Sequence, residues 1–247
     1  MEITEYNVRQ DWREYDINVK KQSLKLWNQT QAVIICVTIL VLVISLLQPN
    51  WFGWGVLRPI TPPIIYLIYV FYITSKKKLS RNDITIFSRQ VLLGLRYQVW
   101  GYNLLIGIIS GGTLGLDFVL LAYLNYQSFA VPYTRYPIFD FGFFLFHIIL
   151  RALGEEFLLR GIGYSSLYEG AEKSYIRTST QIVVFNLIMY SVQIIRYIPD
   201  PLFIWIILFR LGYAYLAFYI RYQRQSIIPC IASNFVFNSL ISFVLPW

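Results

Sequence analysis

Long apolar runs limit what this chain can fold into more than anything else in it. QAVIICVTILVLVISLLQ, at 31–48, is the plainest of them. Runs of roughly 16–22 residues without strand-like alternation have the length of a membrane-crossing helix. In lipid the backbone can satisfy its own polar groups only as helices or as a closed barrel. Composition agrees: 57% of the 247 residues are hydrophobic and 14% are charged, against about 25% charged in soluble domains. Mean hydropathy is +0.53. The fold class read from this is all-α: a polytopic integral membrane helix bundle of about seven transmembrane helices.

The spans fall at 31–48, 58–74, 100–124, 138–158, 180–196, 201–220 and 226–245. Pro59, Pro62 and Pro63 predict that the second span is kinked or starts late. Residues 84–98, ITIFSRQVLLGLRYQ, look amphipathic and suit the interface. GIISGGTLGLD in the third span suits close helix packing or a break. The domain reading is a cytoplasmic N-terminal segment over 1–30 and a transmembrane helical domain over 31–247. The N-terminal segment is polar for too long to be a signal peptide.

Orientation follows from the basic residues. With the N-terminus cytoplasmic, that side receives Lys20, Lys21, Lys25, Lys76, Lys77, Lys78, Arg81, Lys173, Arg177, Arg221 and Arg224, and the other receives Arg58, Arg135 and Arg196. This is the positive-inside asymmetry, and it supports an odd span count with the C-terminus outside; the membrane expected is the cytoplasmic (inner) one. The net charge of +8 is explained the same way, with membrane lipid as the partner and no nucleic acid. Cys36 and Cys230 both lie in apolar runs and read as small buried hydrophobes.

Ionisable and strongly polar residues inside spans are the functional suspects. They are Asp117, His147, Arg151, Glu155, Glu156, Arg160, Asn186, Arg210, Asn234 and Asn238. Glu155 and Glu156 are adjacent. Arg151 precedes Glu155 by four residues and Arg160 follows Glu156 by four, so both pairs can meet on the helix surface. The glutamates are therefore either two internal ion pairs or parts of a catalytic or ligand site. Arg210 needs an acceptor, and Glu155, Glu156 and Asp117 are the candidates.

Glu155-Glu156-Phe-Leu-Leu-Arg160 resembles the EExxxR motif of the CPBP family, the CAAX protease and bacteriocin-processing intramembrane proteases. VVFNLIMYS stands where that family carries FxxxH, with Phe185 as the Phe. GYAYLAFYIRYQRQSIIPCIASNFVFN resembles its closing helices, which end in HxxxN. The resemblance covers roughly 100–245. It implies Glu155 as a general base supported by Glu156 and Arg160, with His and Asn stabilising an oxyanion. Here the second-motif His position is Met189, with Tyr190 the neighbour that a one-residue slip would substitute. The third-motif His position is Asn234, and the closing Asn is Asn238. Both motif histidines are absent.

Peptide hydrolysis needs a base for water and donors for the tetrahedral oxyanion. Two asparagines can supply donors, but a thioether at Met189 cannot donate or relay a proton. His147 is the sole histidine and lies ~12 Å before Glu155 on a continuous helix, beyond hydrogen-bond reach. It reads as a packed histidine or, alternatively, as a ligand to a membrane pigment or haem. No metal is expected, because carboxylates and amides without His or Cys make a poor zinc site. No cofactor is expected either; bound lipid or pigment stays open. The favoured reading is a catalytically degenerate family member acting as a structural, assembly or binding subunit among other membrane-protein subunits. The alternatives are an active glutamic-type endopeptidase on prenylated or leader peptides, and a small transporter or lipid-binding protein with a watered cavity.

Overall fold

A computed structural model describes residues 2–47, 52–76, 99–126, 140–170, 173–196, 198 and 202–242. The interfacial segment expected at 84–98 lies outside them. All regular structure among the described residues is helical: α1 (Glu2–Leu47), α2 (Phe52–Lys76), α3 (Trp100–Tyr126), α4 (Asp140–Glu156), a π-helical stretch (Phe157–Gly163), α5 (Tyr164–Gly170), α6 (Tyr175–Arg196), α7 (Phe203–Arg224) and α8 (Ile228–Ser242). Three segments are long and apolar enough to cross a membrane on length and composition alone: Lys20–Leu46, Trp100–Asn125 and Phe203–Arg224. Ile60–Ser75 and Ile228–Ser242 are shorter apolar helices. The chain is an integral membrane protein.

One boundary differs from expectation. The first span does not begin at 31, because α1 runs unbroken through the polar N-terminal stretch. Polar residues do not stop a helix; an apolar run marks only the part that can sit in lipid. Pro59, Pro62 and Pro63 lie within α2, whose apolar stretch is Ile60–Ser75.

The glycines of α3 explain its packing. Gly107, Gly111 and Gly115 recur every four residues and form one ridge. A Cβ at Gly107 would sit 2.6 Å from Ala232 Cβ, one at Gly111 2.8 Å from Ser233 Cα, and one at Gly115 2.7 Å from Leu240 Cδ1. The contacted positions advance in the same direction on both helices, so α3 and α8 run parallel in close backbone approach. Phe118, Ala122, Tyr213, Ala217, Phe237 and Ile241 extend this seam into a buried core that includes α7. A second core joins α1 and α2 to the π-helical stretch through Leu26, Ile34, Val37, Tyr66, Leu158 and Ile162. Glycines also admit the flanking helices. At Gly154 a Cβ would lie 2.9 Å from Pro63 Cα, and at Gly163 one would lie 2.9 Å from Trp27 Cζ3. Trp27 is anchored by its indole N–H, which donates to Gln181 Oε1 at 2.7 Å. The polar residues of α4, α6, α7 and α8 meet between the two cores.

Candidate functional site: a buried carboxylate network

Glu155 and Glu156 end α4 at the point where the helix widens into its π-helical stretch. Single π turns recur at functional positions because they re-aim side chains without ending the helix. Glu155 is 5% exposed, and Glu156 and Arg160 are fully buried. Each carboxylate has its own cation on the same helix. Arg151 Nε donates to Glu155 Oε1 at 2.7 Å, and Arg160 Nη1 to Glu156 Oε1 at 3.2 Å.

Other helices complete both shells. The Tyr190 hydroxyl from α6 donates to Glu155 Oε2. Tyr213 from α7 donates to Glu156 Oε1 at 2.8 Å. Asn234 from α8 bridges the pair, its Nδ2 donating to Glu156 Oε1 at 2.7 Å and to Glu155 Oε2 at 3.3 Å. Asn238, one turn on, donates from Nδ2 to the Asn234 carbonyl at 3.0 Å and to Asn234 Oδ1 at 2.5 Å. Arg210 Nη1 donates to Asn238 Oδ1 at 2.8 Å. Arg160 Nη2 reaches the Ala214 carbonyl at 3.2 Å, and Arg221 Nε caps the Arg160 carbonyl at 2.9 Å.

Aromatic rings supply the remaining compensation. The Arg210 guanidinium lies 3.9 Å from the Tyr190 ring centroid and that of Arg151 lies 4.6 Å from it. Desolvated cation–π contacts of this kind contribute about 2 kcal/mol. Tyr213 stacks on Phe237 with centroids 4.7 Å apart. Four arginines accompany the two glutamates: the face of Tyr190 receives Arg210, and the Tyr164 ring receives Arg221 at 4.8 Å.

The structure thus brings together Glu155, Glu156, Arg160, Asn234 and Asn238, the residues singled out in the sequence. It does not bring Met189 to them. Met189 packs against the apolar core of α1, α2 and the π-helical stretch, and its neighbour Tyr190 occupies the place beside Glu155. Asp117, offered as a partner for Arg210, is instead exposed on α3. His147 is buried on α4, about two turns before Glu155. Asn186 is fully buried one turn before Tyr190, and neither atom of its amide has a hydrogen-bond partner among the described residues. Among those residues no three His, Cys, Asp or Glu side chains are grouped so as to hold a metal. Sequence reasoning passed over Tyr213. With 20 tyrosines in the chain, residue type carries little signal. Its spacing of three from Arg210 was the available clue.

Residues 137–240 match the family model described as type II CAAX prenyl endopeptidase Rce1-like. Over that segment the chain is similar to the Rce1-like family. The match starts just before α4 and closes within α8, so it spans every helix that contributes to the carboxylate network. No curated protein and no solved structure matches the chain. The Rce1-like segment holds both motif glutamates and the motif arginine in register, with a tyrosine and an asparagine lying against them.

Proposed function

We propose that this Rce1-like membrane protein is catalytically degenerate and acts as a structural, assembly or binding subunit of a membrane complex. The observation that carries the reading is the use of every candidate oxyanion donor inside the chain. Asn234 Nδ2 faces the two carboxylates, and Asn238 Nδ2 faces Asn234. An oxyanion hole needs preorganised donors aimed at an empty position about 3 Å away. Here the Asn234 N–H groups point at the two carboxylates, and the Asn238 N–H groups point at oxygens of Asn234. Glu155, the base that the resemblance implies, accepts from Arg151 and Tyr190 as well as Asn234. A carboxylate held by that many donors has little remaining capacity to take a proton from water. Burial of Glu155 and Glu156 also argues against a watered transport cavity.

The test has two arms. The tagged full chain is purified in mild detergent and its stable partners are identified by mass spectrometry. In parallel, wild type and Glu155→Gln are compared for cleavage of prenylated and leader-bearing peptides. The expected result is stoichiometric recovery of a larger complex and no cleavage above the Glu155→Gln background. Recovery as a lone monomer whose cleavage disappears in Glu155→Gln overturns the proposal in favour of a glutamic-type endopeptidase.

A further inference from the structure

We infer that the outward face of α3 around Asp117 is the docking surface for a transmembrane helix of another membrane protein, one that presents a lysine or arginine at the depth of Asp117. This inference rests on the subunit reading above and names the surface that reading requires.

The first observation is depth. Trp100 and Tyr102 are exposed at the start of α3, and the Arg224 guanidinium sits 4.7 Å from the Tyr102 ring centroid. Aromatic and basic side chains together mark an interface. Asp117 lies 17 residues further on, ~26 Å along the axis, and the helix continues to Tyr126. A hydrocarbon layer is ~30 Å thick, so Asp117 falls within it toward the far side.

The second observation is that α3 cannot turn Asp117 inward. Gly107, Gly111 and Gly115 hold its opposite side against the backbone of α8. Asp117 is two residues past Gly115, which places it about 200° around the helix from that ridge. Its neighbours on this side are Ile109, Thr113, Leu116, Leu120 and Leu124, all exposed. The Thr113 hydroxyl is already bonded to the Ile109 carbonyl at 2.9 Å. No ion pair or hydrogen bond reaches Asp117 from the described residues.

The third is chemistry. Acyl chains offer a carboxylate nothing, and ionisable groups in spans pair with one another or line polar paths. An aspartate is short, so a partner helix packed 8–10 Å away must bring the longer side chain. Lysine and arginine have that reach and the complementary charge. A second copy docking symmetrically through this face would oppose two aspartates. The arginines described inside this bundle, Arg151, Arg160, Arg210 and Arg221, are engaged in the carboxylate network. The inference therefore assigns the cation to a different chain.

The experiment places a photo-crosslinking residue at Leu120 in the full chain and irradiates native membranes, with wild-type Asp117, Asp117→Asn and Asp117→Lys compared. Expected is a crosslink into a transmembrane segment of another protein that has Lys or Arg within one turn of the linked position. Asp117→Asn should lower its yield by about tenfold or more, and Asp117→Lys should abolish it. Reversing the partner's cation to Asp should restore the yield with Asp117→Lys. Crosslinks only to lipid, to a second copy, or to residues 127–139 of this chain, which include Arg135, would overturn the inference. So would an unchanged yield in Asp117→Asn. If Asp117→Asn still purifies within an intact complex, this surface is wrong and the subunit reading stands. Wild type purifying as a proteolytic monomer removes the subunit reading itself.

Discussion

Removing the Arg160 guanidinium asks directly whether the buried charges hold the bundle together. In Arg160→Met the Glu156 carboxylate keeps Tyr213 and Asn234 but loses its 3.2 Å ion pair, and the Ala214 carbonyl loses its guanidinium bond. Both ionic side chains are fully enclosed, so water cannot take the vacated place without opening the core. Breaking a buried pair by deleting one member costs about 3–5 kcal/mol. The second variant, Glu156→Gln with Arg160→Met, leaves an amide oxygen for Tyr213 and Asn234 and no uncompensated charge. It should lie within about 1–2 kcal/mol of wild type, since a buried pair replaced as a unit is often neutral. The double variant should therefore be about 2–3 kcal/mol more stable than Arg160→Met alone, well beyond the ~0.5 kcal/mol scatter of independent sites. Unfolding is followed in mixed micelles as the fraction of denaturing detergent rises. Trp27, 1% exposed and bonded to Gln181, provides the fluorescence signal. A cost below about 1 kcal/mol for Arg160→Met would refute the reasoning, as would a double variant no more stable than Arg160→Met alone.

Gly111→Leu forces side-chain atoms into the Ser233 backbone and should destabilise the α3–α8 seam by about 1–3 kcal/mol, read in the same unfolding assay. Tyr190→Phe removes the hydroxyl that donates to Glu155 but keeps the ring under Arg210 and Arg151, and should cost about 1.5–3 kcal/mol. Tyr190→Leu also removes the ring and should cost about 2 kcal/mol more; equal losses for the two variants would show that the ring does not compensate the cations. Asn238→Leu leaves the Asn234 Oδ1 and the Arg210 Nη1 without their shared amide and should lower the thermal midpoint in detergent, by about 2–3 kcal/mol of stability. An unchanged midpoint would mean that Arg210 is held by other contacts.

The helical class was legible because an apolar run long enough to cross a bilayer has few other folds available. The two ion pairs were legible for an equally local reason: spacing of four on one helix brings Arg151 to Glu155 and Arg160 to Glu156 without knowledge of any neighbour. The convergence of Asn234 and Asn238 on the glutamates depended on matching depths and on the motif order. Choosing between Met189 and Tyr190 did not follow from either. A single residue turns a helix by about 100°, and the rotation of α6 is set by its packing on α1 and α7, a tertiary fact. The π-helical stretch was invisible because it changes the helical repeat over only a few residues. The aromatic face and the amide oxygen that receive Arg210 were not legible for a related reason: a search for its countercharge looks among carboxylates first.

Catalysis and structural closure make opposite demands on the same atoms. A hydrolytic site must keep a base with spare capacity, donors aimed at an unfilled position, and room for water between them. A buried ionic network is stable only when those donors are turned onto the carboxylates and no space remains, because an unpaired charge in the core costs several kcal/mol. Tyr190, Asn234 and Asn238 satisfy the second demand, and Arg210 fixes Asn238 in that orientation. On the degenerate reading, restoring a histidine at one position is therefore not expected to yield activity. In Asn234→His the Asn238 amide would lose the side-chain oxygen it now donates to, while Arg210 would still hold its Oδ1 and Arg151 would still hold Glu155. Such a variant should be less stable than wild type and, on the degenerate reading, should not cleave prenylated peptide. Cleavage gained from that one substitution would mean that the network is a resting form of a working site.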